Sequence, residues 1–278
     1  MTAIAEPAPA KINLALHVRH RRDDGYHELE TLFAFCRDGD VVTVTRADAT
    51  DLTLTGPFGA VLAGEASGDN LVMRAARGFC ARFGIEGGHA ITLDKHLPVA
   101  SGIGGGSADA AATLRALARL HGVDVDHPEL FALAAELGAD VPACLLGRTA
   151  LGRGKGDALQ PLAPLGDRPV LLVNPGVGVP TAAVFARWDG VDRGGLGDGD
   201  VWTMAAAGRN DLELPARAIA PAIDHVLDLL AKAPDVILSR MSGSGATCFA
   251  VFGSVEARDA AARVAADQGW WTLATFLR

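Results

Sequence analysis

The first regular pattern in the chain is an alternation of apolar with polar or small residues from Ala10 to Val18. A period of two is typical of a β-strand, in which successive side chains point to opposite faces. Lys11 and Asn13 therefore lie on one face of the predicted strand, opposite its apolar face. The segment Asp23-Asp24-Gly25 predicts a turn after this strand.

Similar patterns predict a mixed α+β chain. Asp69 is placed to cap the first predicted helix, and Gly138 is placed to end a later one. The predicted strands after the first are Leu29–Phe35, Val41–Thr45, Leu52–Thr55, Ala90–Leu93, Val170–Val173, Val236–Met241, Thr247–Phe252 and Trp271–Phe276. The predicted helices are Asn70–Phe83, Ala108–Leu120, Pro128–Leu137, Thr181–Trp188, Pro221–Ala233 and Val255–Gln268.

The length of 278 residues corresponds to about two domains of common size. Glycine and proline are frequent between Gly147 and Pro164, which predicts a domain boundary near residue 160. The predicted domains are therefore residues 1–160 and 161–278. The segment Asp189–Gly199, with the sequence DGVDRGGLGDG, has low complexity and predicts a mobile loop.

The composition is that of a globular protein, with 49% hydrophobic and 21% charged residues. The chain has 25 Lys and Arg against 33 Asp and Glu, which gives a net charge of −8. This charge argues against a general binder of nucleic acids or anionic membranes, because both need a basic face. A small anionic ligand stays compatible with it, because a few local groups can hold such a ligand.

The four cysteines, at positions 36, 80, 144 and 248, form no CxxC pair, so no zinc or other metal site is predicted. Thiols scattered among apolar residues are typical of a reduced intracellular protein. No apolar run approaches the roughly 18–20 residues of a membrane span. The first ten residues do not resemble a secretory signal. Together these features predict a cytoplasmic location.

The segment from Pro98 to Ser107 carries the strongest local signal for a ligand. Glycine occupies four of the five positions 102–106, and a helix is predicted to begin at Ser107. Glycines let successive backbone N–H groups converge on one point, and a helix N-terminus favours an anion. The segment therefore predicts a phosphate cradle for a nucleotide. The alternative is a flexible loop with Ser107 as an ordinary cap. The segment is neither a Walker P-loop nor a good dinucleotide fingerprint.

A second glycine segment, Ser242-Gly243-Ser244-Gly245, lies between two predicted strands. By itself it favours a tight hairpin. Paired with the first glycine segment, it could instead form a second wall around a ligand.

Two charged residues are candidates for chemistry. Asp140 precedes Val141-Pro142, and its local sequence favours a helix cap. In a phosphoryl-transfer site, such a carboxylate could instead accept the proton of the acceptor hydroxyl. Lys11 is either a solvated strand residue or, together with Asn13, part of a polar pocket wall.

Three stretches together resemble one superfamily of kinases, in the expected order along the chain. They are Pro9-Ala10-Lys11-Ile12-Asn13-Leu14, the loop from Pro98 to Ala111, and Met241-Ser242-Gly243-Ser244-Gly245-Ala246. These stretches are similar to the three motifs of the galactokinase, homoserine kinase, mevalonate kinase and phosphomevalonate kinase superfamily, the GHMP kinases.

Three further segments resemble one family within this superfamily, the 4-diphosphocytidyl-2-C-methyl-D-erythritol kinases of the non-mevalonate isoprenoid pathway. The segments are GYHELETLF at 25–33, GADVP at 138–142 and RNDLE at 209–213. The resemblance implies a two-domain α+β fold. Its N-terminal domain would be of the ribosomal S5 domain 2-like type, and its C-terminal domain would be ferredoxin-like.

The resemblance implies ATP and Mg²⁺ as cofactors, with Mg²⁺ held mainly through the ATP phosphates. It implies 4-diphosphocytidyl-2-C-methyl-D-erythritol as the small-molecule substrate, and neither a nucleic acid nor a membrane as a partner. Asp140 would take the proton of the substrate's 2-hydroxyl in a direct in-line transfer. Lys11 would assist by stabilising the developing alkoxide and keeping Asp140 ionised.

The resemblance also assigns binding positions. Tyr26 and Phe185 would be two aromatic walls around the cytosine, and His27 would read its edge. Without the resemblance, His27 is a surface histidine near a turn, and Phe185 is a core residue of a short helix. The positions that match nucleotide contacts are Asn70, Leu71, Lys95, Pro98, Gly102, Gly104, Gly105, Gly106 and Ser107. Those that match substrate contacts are Asn13, Tyr26, His27, Thr181 and Phe185.

The chain departs from the family pattern at two places. Ala108 stands where the family often has a second serine, and Ala100-Ser101 stands where some members are richer in glycine. Two other functions fit the same motifs. One is another kinase of the superfamily, such as homoserine kinase, and the other is a non-catalytic nucleotide-binding module.

Overall fold

The computed structural model describes residues 2–62 and 70–278, which form ten strands and ten helices. The strands are β1 (Ile4–Arg21), β2 (His27–Ala47), β3 (Asp51–Thr55), β4 (Gly88–Asp94), β5 (Ala150–Gly154), β6 (Ala158–Pro161), β7 (Pro169–Asn174), β8 (Val236–Met241), β9 (Cys248–Phe252) and β10 (Trp271–Phe276). The helices are α1 (Gly59–Leu62), α2 (Leu71–Phe83), α3 (Gly105–His121), α4 (Pro128–Leu137), α5 (Val141–Leu146), α6 (Thr181–Ala186), α7 (Val201–Ala207), α8 (Glu213–Ile219), α9 (Ala222–Lys232) and α10 (Val255–Asp267).

These elements pack as two compact units, and the chain passes between the units several times. The first unit comprises Met1–Ala10, Asp38–Val99 and Gly104–Gly147. The second comprises Lys11–Arg37, Ala100–Ile103 and Arg148–Arg278. Each unit is therefore built from three separate stretches of sequence. The domain boundary near residue 160 stays a prediction.

The first unit packs helices α2 to α5 beside a short sheet. Residues Val41–Ala47 of β2 pair with β4 in antiparallel register, and β3 pairs with β4 in parallel register. Helix α3 contacts α2, α4 and α5. Most residues of α3 between Ala108 and Ala118 are buried, and many of them are alanines. Small side chains let the neighbouring helices approach closely, which explains how a chain with few aromatics fills this core.

The ends of α2 and α3 differ from the sequence-based prediction. Asn70 is the N-cap of α2, and its side-chain oxygen accepts a hydrogen bond from the Val72 N–H at 2.9 Å. Asp69, the predicted cap, lies outside the described residues. Helix α3 begins at Gly105, so Ser107 is its third residue and does not open it as predicted. The Ala108 N–H donates to the Gly104 carbonyl at 2.8 Å, so the helical hydrogen bonds begin at the glycines. The low helix propensity of glycine is the reason that the sequence favoured a loop there.

The second unit contains a four-stranded antiparallel sheet in the order β10-β7-β9-β8. Helices α9 and α10 contact this sheet. The core cluster formed with it includes Leu171, Val173, Val226 and Phe252, none of which is measurably exposed. Full burial of such a side chain contributes about 1.5–3 kcal/mol to stability, so this sheet and its helices form the stable platform of the unit. Residues Leu29–Phe33 of β2 pair with β5, and β5 pairs with β6.

Several elements were not predicted. The two strands predicted at 29–35 and 41–45 are one continuous strand, β2, because the polar residues between them keep an extended backbone. Short elements also escaped prediction, since four to seven residues carry too little periodicity to identify them. These elements are α1, α5, α7, α8, β5 and β6.

The segment 189–199 is tied to the second unit, although its composition predicts a mobile loop. The Arg19 guanidinium donates to the Asp192 carboxylate at 2.8 Å. The Leu196 N–H donates to Glu30 at 2.8 Å, and Arg209 donates to the Gly194 carbonyl at 2.8 Å. These contacts come from side chains far away in the sequence, so the local composition could not reveal them.

The predicted state of the cysteines is confirmed. None of the four forms a disulfide; Cys36, Cys144 and Cys248 are buried, and Cys80 is half-buried. Among the residues that the structure describes, no helix has both the length and the apolar character needed to cross a membrane.

The two glycine segments meet within the second unit. The Ser242 hydroxyl donates to the Gly102 carbonyl at 3.0 Å, and the Thr247 N–H donates to the Ser101 carbonyl at 3.1 Å. Gly102 has a φ of 78°, and a Cβ atom on it would lie 2.6 Å from the Ser242 carbonyl oxygen. No side chain fits at that distance, so this contact requires glycine.

We predict that Gly102→Ala lowers the free energy of unfolding by about 2–5 kcal/mol, because it adds both backbone strain and a collision. The matched control is Gly122→Ala. Gly122 has a φ of 70° but open space around its Cα, so only the strain of about 1–2 kcal/mol applies. Urea unfolding of both variants checks the difference. Equal losses for the two variants would show that the close contact is not a constraint.

Candidate functional site

The first turn of α3 presents the features of an anion site. Gly104 is its N-cap, with a φ of 66° and no side-chain hydrogen bond. The N–H groups of Gly105, Gly106 and Ser107 precede the first helical bond, so the helix itself supplies no acceptor for them. Together with the helix dipole, such groups favour a phosphate. The structure thus supports the phosphate interpretation of this segment, with the helix rather than a separate loop supplying the donors.

Three predicted nucleotide positions lie around these glycines. A Cβ atom on Gly106 would lie 3.6 Å from the Cδ1 atom of Leu71, which begins α2 next to the capping Asn70. A Cβ atom on Gly105 would lie 3.0 Å from the Nζ atom of Lys95. The structure therefore brings Asn70, Leu71 and Lys95 to the start of α3. Pro98 is half-buried and lies a few residues ahead of this turn.

Lys95 is part of a buried charge cluster, which the sequence did not reveal. Its Nζ atom donates to Asp40 Oδ2 at 2.5 Å and to Asp109 Oδ2 at 2.7 Å, and all three side chains are at most 3% exposed. Burial by itself lowers the pKa of Lys95, but Asp109 and Asp40 outweigh it and raise that pKa above its ordinary value. Lys95 is therefore an ammonium held by two carboxylates.

Asp140 stands at the N-cap position of α5 but does not act as a side-chain cap. Its side chain makes no capping hydrogen bond, and its backbone has the right-handed helical conformation. A capping residue ordinarily has an extended backbone and accepts from the second or third helical N–H. The helix-cap interpretation that the local sequence favours is therefore wrong for this side chain, which is half-buried.

In the second unit, β1 carries Lys11 and Asn13, and both are only 2% exposed. The Lys11 Nζ atom donates to Asn13 Oδ1 at 3.1 Å and lies 5.4 Å from the centroid of the Phe33 ring. The Asn13 amide donates to Thr31 Oγ1 at 2.7 Å. A solvated Lys11 is thus excluded, because both faces of this strand are buried. The buried polar wall interpretation fits these contacts.

The second glycine segment is both a hairpin and a docked loop. It joins the antiparallel strands β8 and β9, as its local sequence favours. The Asn13 N–H donates to Ser242 Oγ at 3.2 Å, and the hydroxyls of Ser244 and Thr181 are 2.9 Å apart. The Asn210 amide donates to the carbonyls of Met241 and Gly243 at 2.8 Å each. The hairpin is therefore fixed from several sides.

The predicted cytosine-binding residues lie in the second unit. The rings of His27 and Phe185 are stacked, with centroids 4.7 Å apart and planes 25° apart. Trp188 meets His27 edge-on at 5.7 Å. Phe185 is half-buried and packs against the core, so its interpretation as a core residue is correct in part. Tyr26 is 55% exposed, and Lys155 Nζ lies 4.8 Å from its ring centroid.

The protonation of His27 follows from its surroundings. Burial, and secondarily the charge of Arg21, lower the pKa of His27. The ring is therefore neutral at pH 7, with one nitrogen as a donor and the other as an acceptor. Such a ring can pair with a polar edge of a base.

Sequence reasoning missed four residues next to these positions: Asp40, Asp109, Lys155 and Trp188. The sequence does carry a signal for Asp109, because an acidic residue within the alanine-rich stretch of α3 does not fit the apolar pattern of a core helix. Among the described residues, no group of three or more His, Cys, Asp or Glu side chains could hold a metal ion.

The two departures from the family pattern have structural counterparts. Ala100 has a φ of 51°, in the left-handed region that favours glycine, so alanine carries a backbone cost there of about 1–2 kcal/mol. Ala108 is 1% exposed, so a serine there would have to bury its hydroxyl.

Family models match both halves of the chain. Residues 70–148 match the GHMP kinases N terminal domain, and residues 203–269 match the GHMP kinases C terminal domain. The GHMP kinase fold implied by the three motifs is therefore confirmed, with its mixed α+β architecture.

A relative from Rhizorhabdus wittichii, named 4-diphosphocytidyl-2-C-methyl-D-erythritol kinase, is 57% identical over 98% of this chain and 94% of its own length. One of the same name from Novosphingobium aromaticivorans is 50% identical over 99% and 93%. A crystal structure of 4-(cytidine 5'-diphospho)-2C-methyl-D-erythritol kinase has a TM-score of 0.79 at 37% identity, covering 98% of each chain.

A homoserine kinase structure from Cytophaga hutchinsonii has a TM-score of 0.75, covering 99% of this chain and 95% of its own. At 20% identity, it shares the fold alone. The extensive identity to the curated relatives agrees with the Gly-Tyr-His segment. The chain belongs to the 4-diphosphocytidyl-2-C-methyl-D-erythritol kinase family of the GHMP kinases.

Proposed function

We propose that the protein transfers the γ-phosphate of ATP to the 2-hydroxyl of 4-diphosphocytidyl-2-C-methyl-D-erythritol. The observation that carries the proposal is the glycine-lined start of α3 beside Asn70 and Leu71, in a chain whose curated relatives bear the name of this kinase. A coupled assay of ADP release with this substrate tests it. Turnover with homoserine or mevalonate, but not with the cytidine compound, would contradict it.

The backbone of this chain binds the triphosphate. The first N–H groups of α3, at Gly105, Gly106 and Ser107, point their positive ends at the anion, and Gly104 turns the chain into them. Mg²⁺ would be held mainly through the phosphate oxygens of ATP, as is usual in kinase sites. When bound, the ion neutralises charge on the phosphates.

Asp140 accepts the proton of the attacking hydroxyl. Its carboxylate makes no side-chain cap of α5, so the local role that the sequence favours does not account for it. The hydroxyl oxygen gains negative charge as its proton leaves, and a buried ammonium such as that of Lys11 stabilises this charge. The hydroxyl then attacks the γ-phosphate in line, without a covalent enzyme intermediate.

The aromatic residues of the second unit bind the cytidine end. Tyr26 offers an exposed flat ring, and the nearby Lys155 provides a positive charge suited to a diphosphate. The imidazole of His27 lies on Phe185, so a base that stacks on that face of Phe185 must displace it. Neutral His27 then hydrogen-bonds to the edge of the cytosine through its ring nitrogens. Asn13 and Thr181 supply polar groups for the rest of the substrate.

The other candidates make different predictions. Homoserine kinase shares the fold alone, so no observation favours homoserine as the substrate. A non-catalytic module would bind ATP without transferring phosphate, and single-turnover measurements with labelled ATP distinguish it.

We expect Asp140→Asn to lower kcat by about 10²–10⁴-fold, since that is the usual contribution of a general base. Asparagine has nearly the same size and no helix-capping hydrogen bond is lost, so the variant should keep its fold. The matched control is Asp228→Asn, an identical change at an exposed residue paired with Lys232, which should keep full activity. Near-normal kcat for Asp140→Asn would remove its assignment as the base.

We expect Tyr26→Ala to raise KM for the cytidine substrate by about 5- to 100-fold, since stacking contributes about 1–3 kcal/mol per base. The KM for ATP should hardly change. Tyr26→Phe keeps the flat ring and is the control, with a KM close to that of the unaltered protein. Equal effects of Tyr26→Ala on both substrates in steady-state assays would exclude Tyr26 from the cytosine site.

A further inference from the structure

In the cluster of Asp40, Lys95 and Asp109, the two carboxylates accept different numbers of hydrogen bonds. The Asp40 carboxylate accepts three hydrogen bonds, from Lys95 and from the N–H groups of His96 at 2.5 Å and Leu97 at 2.8 Å. Asp109 Oδ2 accepts from Lys95, whereas its Oδ1 atom is buried without a hydrogen-bond partner among the described residues. Hydrogen bonds therefore stabilise a negative charge on Asp40 better than one on Asp109.

The charge of the cluster consequently depends on one proton. With both carboxylates ionised, one ammonium leaves a buried net charge of −1; with Asp109 protonated, the cluster is neutral. Burial, and secondarily the charge of Asp40, raise the pKa of Asp109 to about 7 against the opposing effect of Lys95. The charged groups that act on Asp109 are Lys95 and Asp40; the nearby His96 ring is exposed and pairs with Asp94 at 2.9 Å.

The cluster lies directly behind the anion site. Asp109 and Gly105 are four residues apart in α3, so they lie on the same helix face one turn apart. Lys95 Nζ, which Asp109 holds, would be 3.0 Å from a Cβ atom on Gly105. A change in the charge of Asp109 therefore affects the first turn of α3 in two ways. It acts through the contact of Lys95 with Gly105, and it acts directly through electrostatics.

We propose that Asp109 is a positioning residue for the reaction with ATP, which acts through Lys95 on the first turn of α3 and makes the affinity for ATP depend on its own proton. This inference rests on the proposed function only in taking ATP as the ligand of that turn. Neutral Asp109 removes a negative charge from behind the triphosphate, so the protonated form binds ATP more tightly. Affinity is therefore higher below pH 7 and falls as the pH rises through 7.

The steady-state test compares pH profiles from 6 to 8.5 at constant Mg²⁺. The γ-phosphate of ATP also titrates in this range, so the informative quantity is the difference between the protein and its Asp109→Asn variant. Asparagine imitates the protonated form in shape and charge. We expect Asp109→Asn to lower KM for ATP by about three- to tenfold at pH 8 and to leave it nearly unchanged at pH 6. The effect on kcat should be smaller.

Asp40→Asn is the matched control within the same cluster. It makes an identical chemical change at a carboxylate that accepts three hydrogen bonds, so it should lower the midpoint of thermal unfolding without producing the pH-selective gain in ATP affinity. An Asp109→Asn variant with the same pH profile as the unaltered protein would overturn the inference. So would an effect on KM of equal size at every pH.

A measurement on the unaltered protein keeps the inference testable if Asp109→Asn does not fold. Carbon-13 NMR of labelled aspartate carboxyl groups should show one group that titrates near neutral pH, and Mg·ADP should raise the midpoint of that titration. A midpoint that nucleotide leaves unmoved would contradict the coupling. Isothermal titration with Mg·ADP, together with the transfer assay, distinguishes the two proposals. Binding that depends on pH without phosphoryl transfer would contradict the proposed function alone. Phosphoryl transfer with binding that does not depend on pH would contradict this inference alone.

Discussion

A backbone contact too close for any side chain organises the second unit. The carbonyl oxygens of Ser242 and Gly245 would lie 2.6 and 2.7 Å from a Cβ atom on Gly102. This contact joins the hairpin to the segment 100–103, and hydrogen bonds from Asn13 and Asn210 hold the hairpin from other sides. Glycine here provides proximity between segments rather than flexibility, because each segment is fixed by the others.

The first unit combines a buried helix with an accessible helix N-terminus. Helix α3 is almost entirely surrounded, yet Gly106 in its first turn is exposed. The same helix carries Asp109 into the interior, where Lys95 compensates for its charge. Burying an ammonium with two carboxylates is costly unless every polar atom has a partner, and Asp109 Oδ1 has none among the described residues. The first turn of α3 therefore lies next to a buried charge cluster that is incompletely hydrogen-bonded.

The long periodic elements were predictable from the sequence, and the partners of the polar residues were not. The bounds of α4, β8 and β10 agree with the prediction, because the pattern of each element reflects its burial. The two glycine segments and the motif residues were also found from sequence. By contrast, Asp40 and Asp109 are 69 residues apart in the sequence, and both accept a hydrogen bond from Lys95. His27 likewise stacks on Phe185, a partner that no local pattern identifies.

The interleaved course of the chain has a consequence for its synthesis. The first unit ends at Gly147, but residues 11–37 and 100–103 emerge from the ribosome before that point and belong to the second unit. Leu16 and Val18 of β1 must therefore wait for their core partners, such as Leu171 and Val173, until the chain beyond residue 147 has been made. Apolar side chains exposed in this way favour association between chains. Slow translation beyond residue 147 would thus prolong the exposure of this part of the core.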